Sequence, residues 1–358
     1  PAGLGPAGPT RLAPLATSSA VPLLARLRAA LEPAFATPVS EDDPAVGPFF
    51  RRRFGPVVTD RLIEPLLGGI YTGDIERMSL FSVVPSLEPR LRDGGSLLRG
   101  VRSRRRSGSA RFVTLPGGLA SIPRRLTESL HDVRLGEPVL RVVPDRGGYV
   151  VTTPEGELRC SAMVLATPAR AAAGLLTAWP GAAEPLSEMP TSPVAVVTFA
   201  YPRAAVAGEG GALSGTGVLI PRSTGSYVKA VTFSSTKWTH LADLSHYVLR
   251  ASVGRGTAGD WWTWTDAQLT EHVQEELREL IGVDATPAEA HVTRWHVPSY
   301  QVGHRARVDA AESALRSEQI ELAGAPYRGV GIGSCIRQGL RAARRLADRL
   351  PSAAGAPR

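Results

Sequence analysis

The segment that most constrains the fold is a short apolar run followed by a glycine-rich turn and a helical tail. The run is IELAGA (residues 320–325), and the turn contains Gly329, Gly331 and Gly333 before arginine- and alanine-rich residues that extend to Leu350. This order predicts a buried strand, a tight turn and a helix whose first turn exposes unpaired N–H groups. Because a helix N-terminus carries a partial positive charge, such a turn is suited to an anionic group.

The tail is predicted to be an amphipathic helix with Ser334 as its N-cap. Its apolar residues recur at helical spacing and are expected to pack on a sheet; they are Ile336, Leu340, Ala343, Ala347 and Leu350. The alternative is an ordinary strand-to-helix turn whose glycines serve packing alone.

Upstream, residues 1–100 are mostly helical in pattern. The first predicted helix places four leucines on one face, namely Leu23, Leu24, Leu27 and Leu31. For the next helix, Asp43 is the expected N-cap and Pro44 the first helical residue. A third helix is expected to end at Gly68 and Gly69.

From about Phe112 the pattern changes to mixed strand and helix. A strand, a Pro-Gly-Gly turn and a helix are predicted first, then hairpin strands with turns at residues 145–148 and 154–156. Residues 191–300 alternate strands with loops. One helix interrupts them, with Leu269, Val273 and Leu277 in its apolar stripe and Gly282 at its end.

The composition argues against several classes of function. The net charge of +8 comes from 39 arginines and only two lysines, Lys229 and Lys237, which indicates a compositional bias more than a nucleic-acid adaptation. The densest basic run, Arg99 to Arg111, has no aromatic residues for base stacking and is predicted to be a solvated loop. Cys160 and Cys335 lack metal-ligand spacing and favour a reducing cytoplasm. No apolar run reaches the ~18 residues of a membrane span.

Familiar catalytic motifs are also absent from the sequence. GLGPAG (residues 3–8) matches G-x-G-x-x-G, but no strand precedes it and Pro6 lacks the N–H that would cradle a phosphate. The histidines form no metal-binding pattern, and neither a G-x-S-x-G elbow nor a P-loop occurs. We identify no catalytic residue and predict no metal. This absence favours chemistry carried by a cofactor.

The chain resembles the flavin-dependent protoporphyrinogen and coproporphyrinogen oxidases, within the larger group of amine-oxidase-like flavoproteins. The segments that carry the resemblance are Pro1–Thr10, Glu64–Leu80, Thr114–Leu126, Val164–Leu176, Phe233–Trp238, Leu249–Arg255, Pro298–His304 and Tyr327–Gly339. The segments Glu64–Leu80 (EPLLGGIYTGDIERMSL) and Tyr327–Gly339 (YRGVGIGSCIRQG) are specific to this family and not to flavoproteins at large.

The resemblance implies the fold class α/β plus α+β, a two-domain, FAD-linked, amine-oxidase-like flavoprotein fold. Since the chain begins with Pro1 rather than Met and lacks a credible dinucleotide-binding start, we expect it to be a fragment without the N-terminal βαβ unit. The expected regions are 1–110 as a mostly helical substrate-side region, 111–180 as part of the FAD-binding domain, 181–317 as a mixed substrate domain, 318–350 as the strand–turn–helix that returns to the FAD domain, and 351–358 as a tail.

The resemblance also implies which residues bind the cofactor. Val330, Gly331 and Ile332 resemble the turn whose backbone faces the isoalloxazine ring of FAD, where its N–H groups stabilise negative charge on the reduced flavin. Val139 resembles the valine whose backbone meets the adenine. Trp295 resembles a tryptophan near the cofactor, with an ordinary core aromatic as the alternative.

The implied activity is oxygen-dependent oxidation of a porphyrinogen by FAD in haem biosynthesis. The arginine- and alanine-rich composition suggests a high-GC source and favours coproporphyrinogen III over protoporphyrinogen IX. A ferrochelatase-type partner and peripheral membrane contact are compatible with the family, and the expected location is the cytoplasm. The alternatives are another amine-oxidase-like flavoprotein, such as a carotenoid desaturase or an amine oxidase, and a catalytically incompetent fragment. A nucleic-acid binder comes third.

Overall fold

The computed structural model of the protein describes residues 4–5, 8–9, 21–103, 113–206, 213, 215–255 and 259–350. The chain divides into two compact units. Unit 1 comprises Pro1–Ile122 and Thr191–Ser299, and unit 2 comprises Pro123–Pro190 and Tyr300–Arg358. This division follows spatial contacts and does not test the functional regions expected from the sequence, which stay a prediction.

Helices dominate the first part of the described chain and recur throughout it. They are α1 Leu23–Ala30, α2 Val46–Phe54, α3 Pro56–Val58, α4 Gly69–Tyr71, α5 Leu80–Val83, α6 Glu88–Arg92, α7 Leu97–Ser103, α8 Ser121–Glu128, α9 Ala169–Leu175, α10 Pro180–Ser187, α11 Arg203–Val206, α12 Ser234–Lys237, α13 Asp266–Ile281, α14 His304–Ala314 and α15 Ile332–Arg349. A π-helix, Thr59–Gly68, joins α3 to α4. Short 3-10 turns span Glu32–Ala34, Pro85–Leu87, Arg222–Thr224, Thr239–Leu241 and Asp260–Trp262.

Most of the described strands lie after residue 140. They are β1 Leu4–Gly5, β2 Gly8–Pro9, β3 Arg141–Asp145, β4 Gly148–Thr153, β5 Gly156–Cys160, β6 Met163–Leu165, β7 Thr191–Pro202, β8 Gly217–Leu219, β9 Val228–Phe233, β10 His246–Val253, β11 Glu289–Pro298 and β12 Ile320–Leu322. The strands predicted after residue 191 are therefore confirmed, as are the hairpin turns at 145–148 and 154–156.

Unit 1 is built on an antiparallel sheet. Within the described residues its five strands follow the order β11-β7-β10-β9-β8. Helix α13 contributes Leu269, Val273 and Leu277 to the core of this unit. A capping box formed by Thr265 and Gln268 begins α13, and Gly282 ends it at a φ of 69°. The stripe and the end predicted for this helix are thus confirmed.

Unit 2 contains a small antiparallel sheet and a parallel strand pair. The small sheet has the order β3-β4-β5, and β6 pairs in parallel with β12. Leu165, Ile320, Leu322 and the buried ring of Tyr327 belong to the core of this unit, together with apolar residues of α9, α10 and α14. The strand predicted before the glycine-rich turn is therefore present, and its apolar side chains are buried.

Two helix ends in unit 1 differ from the prediction. Helix α2 begins after Ala45, and the Asp43 carboxylate accepts a hydrogen bond from the Ser79 hydroxyl instead of capping α2. The third helical segment continues through Gly68 and Gly69 to Tyr71. Gly68 serves close packing rather than termination, because a Cβ there would lie 3.3 Å from the Gly73 carbonyl oxygen. Pro65 lacks an N–H group, which accounts for the π-helical hydrogen bonding around it.

The predicted face of α15 is wrong. The buried residues of this helix are Gln338, Ala342 and Leu346, whereas Ile336 is 47% and Leu340 55% exposed. The predicted stripe alternates spacings of four and three residues and the buried set has a spacing of four, and since both spacings are helical, periodicity alone could not choose between them. Ser334 is not the N-cap, because Gly331 holds that position and the Ser334 hydroxyl donates to the carbonyl oxygen of Arg328.

Other predictions have mixed outcomes. Helix α1 forms, but its four leucines are exposed rather than packed. No strand forms over residues 113–115, the described part of the run before the Pro-Gly-Gly turn. The first part of the basic run, as far as Ser103, belongs to helix α7, where a loop was predicted. The rest of this run lies outside the described residues, as do most of residues 1–20. In the part of the chain that the structure describes, no helix is long and apolar enough to cross a membrane.

Candidate functional site

The candidate site is the turn that links β12 to α15 in unit 2. Strand β12 ends at Leu322, and α15 begins with Ile332 directly after Gly331. Gly331 has a φ of 96° and a ψ of 147°, and Gly329 has a φ of 120°. Side chains other than hydrogen rarely permit these angles, so the two glycines are needed for the course of the backbone.

Two buried aromatic side chains and a histidine hold this turn from one side. The Tyr300 hydroxyl donates to the Ala325 carbonyl oxygen at 2.5 Å and accepts the Gly329 N–H at 3.0 Å. His304 stacks on the Tyr300 ring, with ring centroids 4.1 Å apart, and its Nε2 lies 2.9 Å from the Tyr327 carbonyl oxygen. The Tyr327 hydroxyl donates to the Thr167 carbonyl oxygen at 3.1 Å. These contacts fix the turn to α14 and to the segment after β6.

The side-chain amide of Gln338, on α15, forms hydrogen bonds with the backbone of the turn. Its Oε1 accepts the N–H groups of Gly324 and Arg328 at 3.3 and 3.2 Å, and its Nε2 donates to the Gly329 carbonyl oxygen at 3.2 Å. The buried amide of Gln338 therefore satisfies three backbone groups of one turn. The Arg328 side chain pairs with Glu312 at 2.6 Å and with Asp309 at 2.5 Å, which anchors the turn to α14 as well.

The outer side of the turn is open. Gly331, Ile332 and Gly333 are exposed, and a Cβ added at Gly331 would meet no heavy atom within 4 Å. The N–H groups of Ser334 and Cys335 both donate to the Gly331 carbonyl oxygen at 3.0 Å. Helix geometry leaves the N–H groups of Ile332 and Gly333 outside this ladder, at the positive end of the α15 dipole. No acidic residue lies in the first turn of α15. A rigid, open turn of this kind fits the electron-rich edge of a flavin.

The structure brings only some of the predicted cofactor residues together. Val330, Gly331 and Ile332 form one continuous stretch of the turn. Val139 belongs to the same unit, lies just before β3 and is half exposed. The N–H of the next residue, Leu140, donates to the Thr152 carbonyl oxygen. Trp295 lies on β11 of unit 1 and is 38% exposed. The cofactor contacts of all five residues stay predictions.

Sequence reasoning missed the residues that hold the turn. Tyr300 and His304 lie within the family segment PSYQVGH. The histidines were tested only for metal-ligand spacing, which does not reveal a histidine that stacks on a tyrosine. The described residues contain no group of three or more His, Cys, Asp or Glu side chains suited to a metal. Gln338 interrupts an apolar helix face, and a polar residue at such a position was the one available signal of a buried hydrogen-bonding role.

Comparison with known proteins identifies the class. The sequence profile of the flavin-containing amine oxidoreductases matches residues 3–347. The chain belongs to this family, whose cofactor is FAD.

Within the family, the chain belongs with the coproporphyrinogen III and protoporphyrinogen oxidases, as the sequence resemblance predicted. It is 32% identical over 347 residues to the coproporphyrinogen III oxidase of Bacillus subtilis, covering 92% of this chain and 73% of that protein. It is 30% identical to the coproporphyrinogen III oxidase of Propionibacterium freudenreichii, covering 99% of this chain and 73% of that protein. A crystal structure assigned as a protoporphyrinogen oxidase of Exiguobacterium has a TM-score of 0.82 at 28% identity, covering 97% of this chain and 77% of that one. The predicted amine-oxidase-like fold is confirmed.

Gln338→Ala is expected to loosen the turn, because it leaves the Gly324 and Arg328 N–H groups without their acceptor. Each unsatisfied buried group costs about 1–3 kcal/mol, so exchange of these amides is expected to accelerate by roughly tenfold or more. Hydrogen–deuterium exchange of residues 323–331 measures this effect. Arg337→Ala, at an exposed neighbouring position of α15, is the matched control. Equal exchange rates in the two variants would contradict the role of Gln338.

Proposed function

We propose that this protein oxidises a porphyrinogen to the corresponding porphyrin in haem biosynthesis, with coproporphyrinogen III as its preferred substrate. The observation that carries the proposal is the match to the coproporphyrinogen III oxidase of Bacillus subtilis over 92% of this chain. The braced turn between β12 and α15 supports it, because the open backbone of Gly331 and Ile332 suits a flavin.

The chemistry divides between the cofactor and the protein. Bound FAD would supply the redox chemistry, namely acceptance of hydride from the meso carbons of the macrocycle and transfer of the electrons to molecular oxygen. The chain contributes binding and orientation: the N–H groups at the start of α15 would hold the flavin and would stabilise negative charge on its reduced form. Each two-electron oxidation also releases one proton, and the three oxidations together remove four meso hydrogens and two pyrrole N–H hydrogens. Since repeated oxidation leads to an aromatic macrocycle, correct positioning contributes much of the rate without a strong base.

The remaining roles follow from the family resemblance. Val330, Gly331 and Ile332 would contact the isoalloxazine ring through the backbone, Val139 would meet the adenine, and Trp295 would lie near the cofactor. On the same basis, residues 111–180 and 318–350 belong to the FAD-binding domain, and residues 1–110 and 181–317 to the substrate side. Oxygen as acceptor, a ferrochelatase-type partner and a cytoplasmic location belong to this proposal too.

Protoporphyrinogen IX is the second candidate substrate. The likeness to the Exiguobacterium structure, assigned as a protoporphyrinogen oxidase, supports it. The two macrocycles differ in carboxylate number, four in coproporphyrinogen III and two in protoporphyrinogen IX. Parallel rates with both substrates therefore decide between them.

The first test is a visible spectrum of the purified protein after incubation in air with FAD and coproporphyrinogen III. The expected result is bound flavin together with growth of the porphyrin Soret band above the uncatalysed rate. Bound flavin without porphyrin, together with turnover of an amine, would favour amine oxidation instead. Neither flavin nor porphyrin would contradict the proposal and favour the catalytically incompetent fragment.

Gly331→Val tests the turn itself. A β-branched residue is strongly disfavoured at a φ of 96°, so the start of α15 should shift and the FAD dissociation constant should rise by about tenfold or more. Quenching of flavin fluorescence measures that constant. Gly339→Ala is the matched control, since Gly339 lies inside α15 with no heavy atom near an added Cβ. A normal FAD affinity in Gly331→Val would remove Gly331 from the cofactor site.

A further inference from the structure

A buried lysine in unit 1 has no role in the chemistry described above. Lys229 lies on β9 and is only 3% exposed. Its Nζ donates to the Thr72 hydroxyl, and no carboxylate pairs with it among the described residues. Burial, with the neighbouring charge of Arg255, lowers the pKa of Lys229 from 10.5 to about 7. A buried lysine without a carboxylate is costly to the fold, so its presence calls for an explanation.

The partner of Lys229 is itself unusual. Thr72 adopts the left-handed conformation, with φ 50° and ψ 53°, and is buried. It is the one non-glycine residue with a positive φ among the described residues. For a β-branched side chain this conformation is strained, and glycine would adopt it more readily. Glycine, however, lacks the hydroxyl that accepts the hydrogen bond from Lys229.

A second polar link lies close by in the same unit. The Glu64 carboxylate, on the π-helix, accepts the Arg222 N–H at 3.0 Å and pairs with Arg255 at 3.6 Å. The Arg255 guanidinium also donates to the carbonyl oxygens of Ser226, Ile220 and Val228. Glu64, inside the π-helix, and Thr72, directly after α4, thus tie this helical segment to the β8–β9 region. Both residues lie in the segment Glu64–Leu80, which carries part of the sequence resemblance to these oxidases.

We propose that Lys229 is a positioning residue for porphyrinogen oxidation, which holds the Thr72 hydroxyl and so fixes the end of α4 and the turn after it, residues 69–74, in the conformation that binds the substrate. The inference rests on the proposed function. A costly lysine and a strained threonine meet at one contact, and the threonine lies in the segment of residues 64–80 that carries part of the resemblance to these oxidases. Strain and buried charge of this kind concentrate at functional sites, where they are kept at the expense of stability.

The test compares Lys229→Met and Thr72→Val with Thr72→Ser. The first two variants remove one side of the contact while keeping the side-chain volume, and Thr72→Ser keeps the hydroxyl. Both Lys229→Met and Thr72→Val are expected to raise the KM for coproporphyrinogen III and the Kd for coproporphyrin III by about tenfold or more, with a smaller change in kcat. Thr72→Ser should stay within about threefold of the wild type, since it rescues the contact. The double variant should be no worse than either single one.

A second readout needs no turnover. The chain has only two lysines, so lysine labelled with carbon-13 at Cε gives two NMR signals, and Lys237→Arg assigns them. The Lys229 signal is expected to move in Thr72→Val and on addition of coproporphyrin III to the wild type. Lys237→Met changes the other lysine, whose Nζ lies over the Trp238 ring at the end of α12, and should leave KM unchanged.

The outcomes separate this inference from the proposed function. A wild type that oxidises coproporphyrinogen III normally, beside a Lys229→Met variant with the same KM and porphyrin Kd, would overturn the role of Lys229 alone. A wild type that neither binds nor oxidises the porphyrin compounds would overturn both. A tenfold loss in Lys229→Met that Thr72→Val reproduces and Thr72→Ser restores would support the positioning role.

Discussion

Glu32→Ala is expected to lower the free energy of unfolding by about 3–5 kcal/mol, one of the largest effects of any single substitution in unit 1. The Glu32 carboxylate is fully buried. It accepts the Ser96 hydroxyl at 2.5 Å and the Leu97 and Leu98 N–H groups at 3.0 and 3.2 Å, which caps the start of α7. It also faces the buried Arg53 guanidinium at 3.5 Å. Alanine would leave that charge without its partner and the helix end without its acceptor.

Urea unfolding followed by tryptophan fluorescence measures this loss, since five of the six tryptophans lie in unit 1. Glu41→Ala is the matched control. Glu41 pairs with Arg52 at 3.1 Å, but both side chains are more than half exposed, so that pair is worth at most about 1 kcal/mol. Glu32→Gln should fall between the two, because it keeps an acceptor oxygen but loses the charge. Similar losses in Glu32→Ala and Glu41→Ala would contradict the network.

The parts of the fold that the sequence predicted are those set by local signals. Helix α13 has its capping box, its apolar stripe and its terminal glycine within one short segment, and each was readable. The hairpins of β3, β4 and β5 follow from turn residues between alternating strands. The glycine-rich turn before α15 was predicted for the same reason, since Gly329 and Gly331 must adopt positive φ values.

The parts that sequence reasoning missed depend on contacts between distant segments. Lys229 and Thr72 are 157 positions apart, and Glu32 lies 64 positions from Ser96. Nothing local indicates that these side chains meet. The face of α15 was misjudged because Gln338, a polar residue, is buried by its hydrogen bonds to the turn. Apolar periodicity cannot reveal a face whose burial depends on hydrogen bonding.

Lys229→Met is expected to stabilise the protein at neutral pH. The pKa of Lys229 is lowered from 10.5 to about 7, because burial disfavours the ammonium form. That difference corresponds to roughly 4–5 kcal/mol needed to keep the charged form in the folded state. Between pH 7 and about 10 the unfolded chain binds one proton more than the folded chain, so wild-type stability rises with pH across this window. The unfavourable free energy of burying the charged lysine is fully present below pH 7, and it disappears as the pH rises towards 10.5, the ordinary pKa of lysine.

Methionine has a similar shape and no charge, so its stability should lack this pH dependence. The difference in the free energy of unfolding between Lys229→Met and the wild type is therefore expected to be largest near pH 7 and below. It should shrink by up to about 1.4 kcal/mol per pH unit towards pH 10. At that pH the loss of the hydrogen bond to Thr72 becomes a significant part of the difference. Urea unfolding at a series of pH values measures the two curves, with the half-buried Lys237→Met as the control. Parallel curves would mean that Lys229 is charged in the folded protein. A variant that is more stable and yet binds porphyrin less well would show that unit 1 retains Lys229 for function, against its cost to the fold.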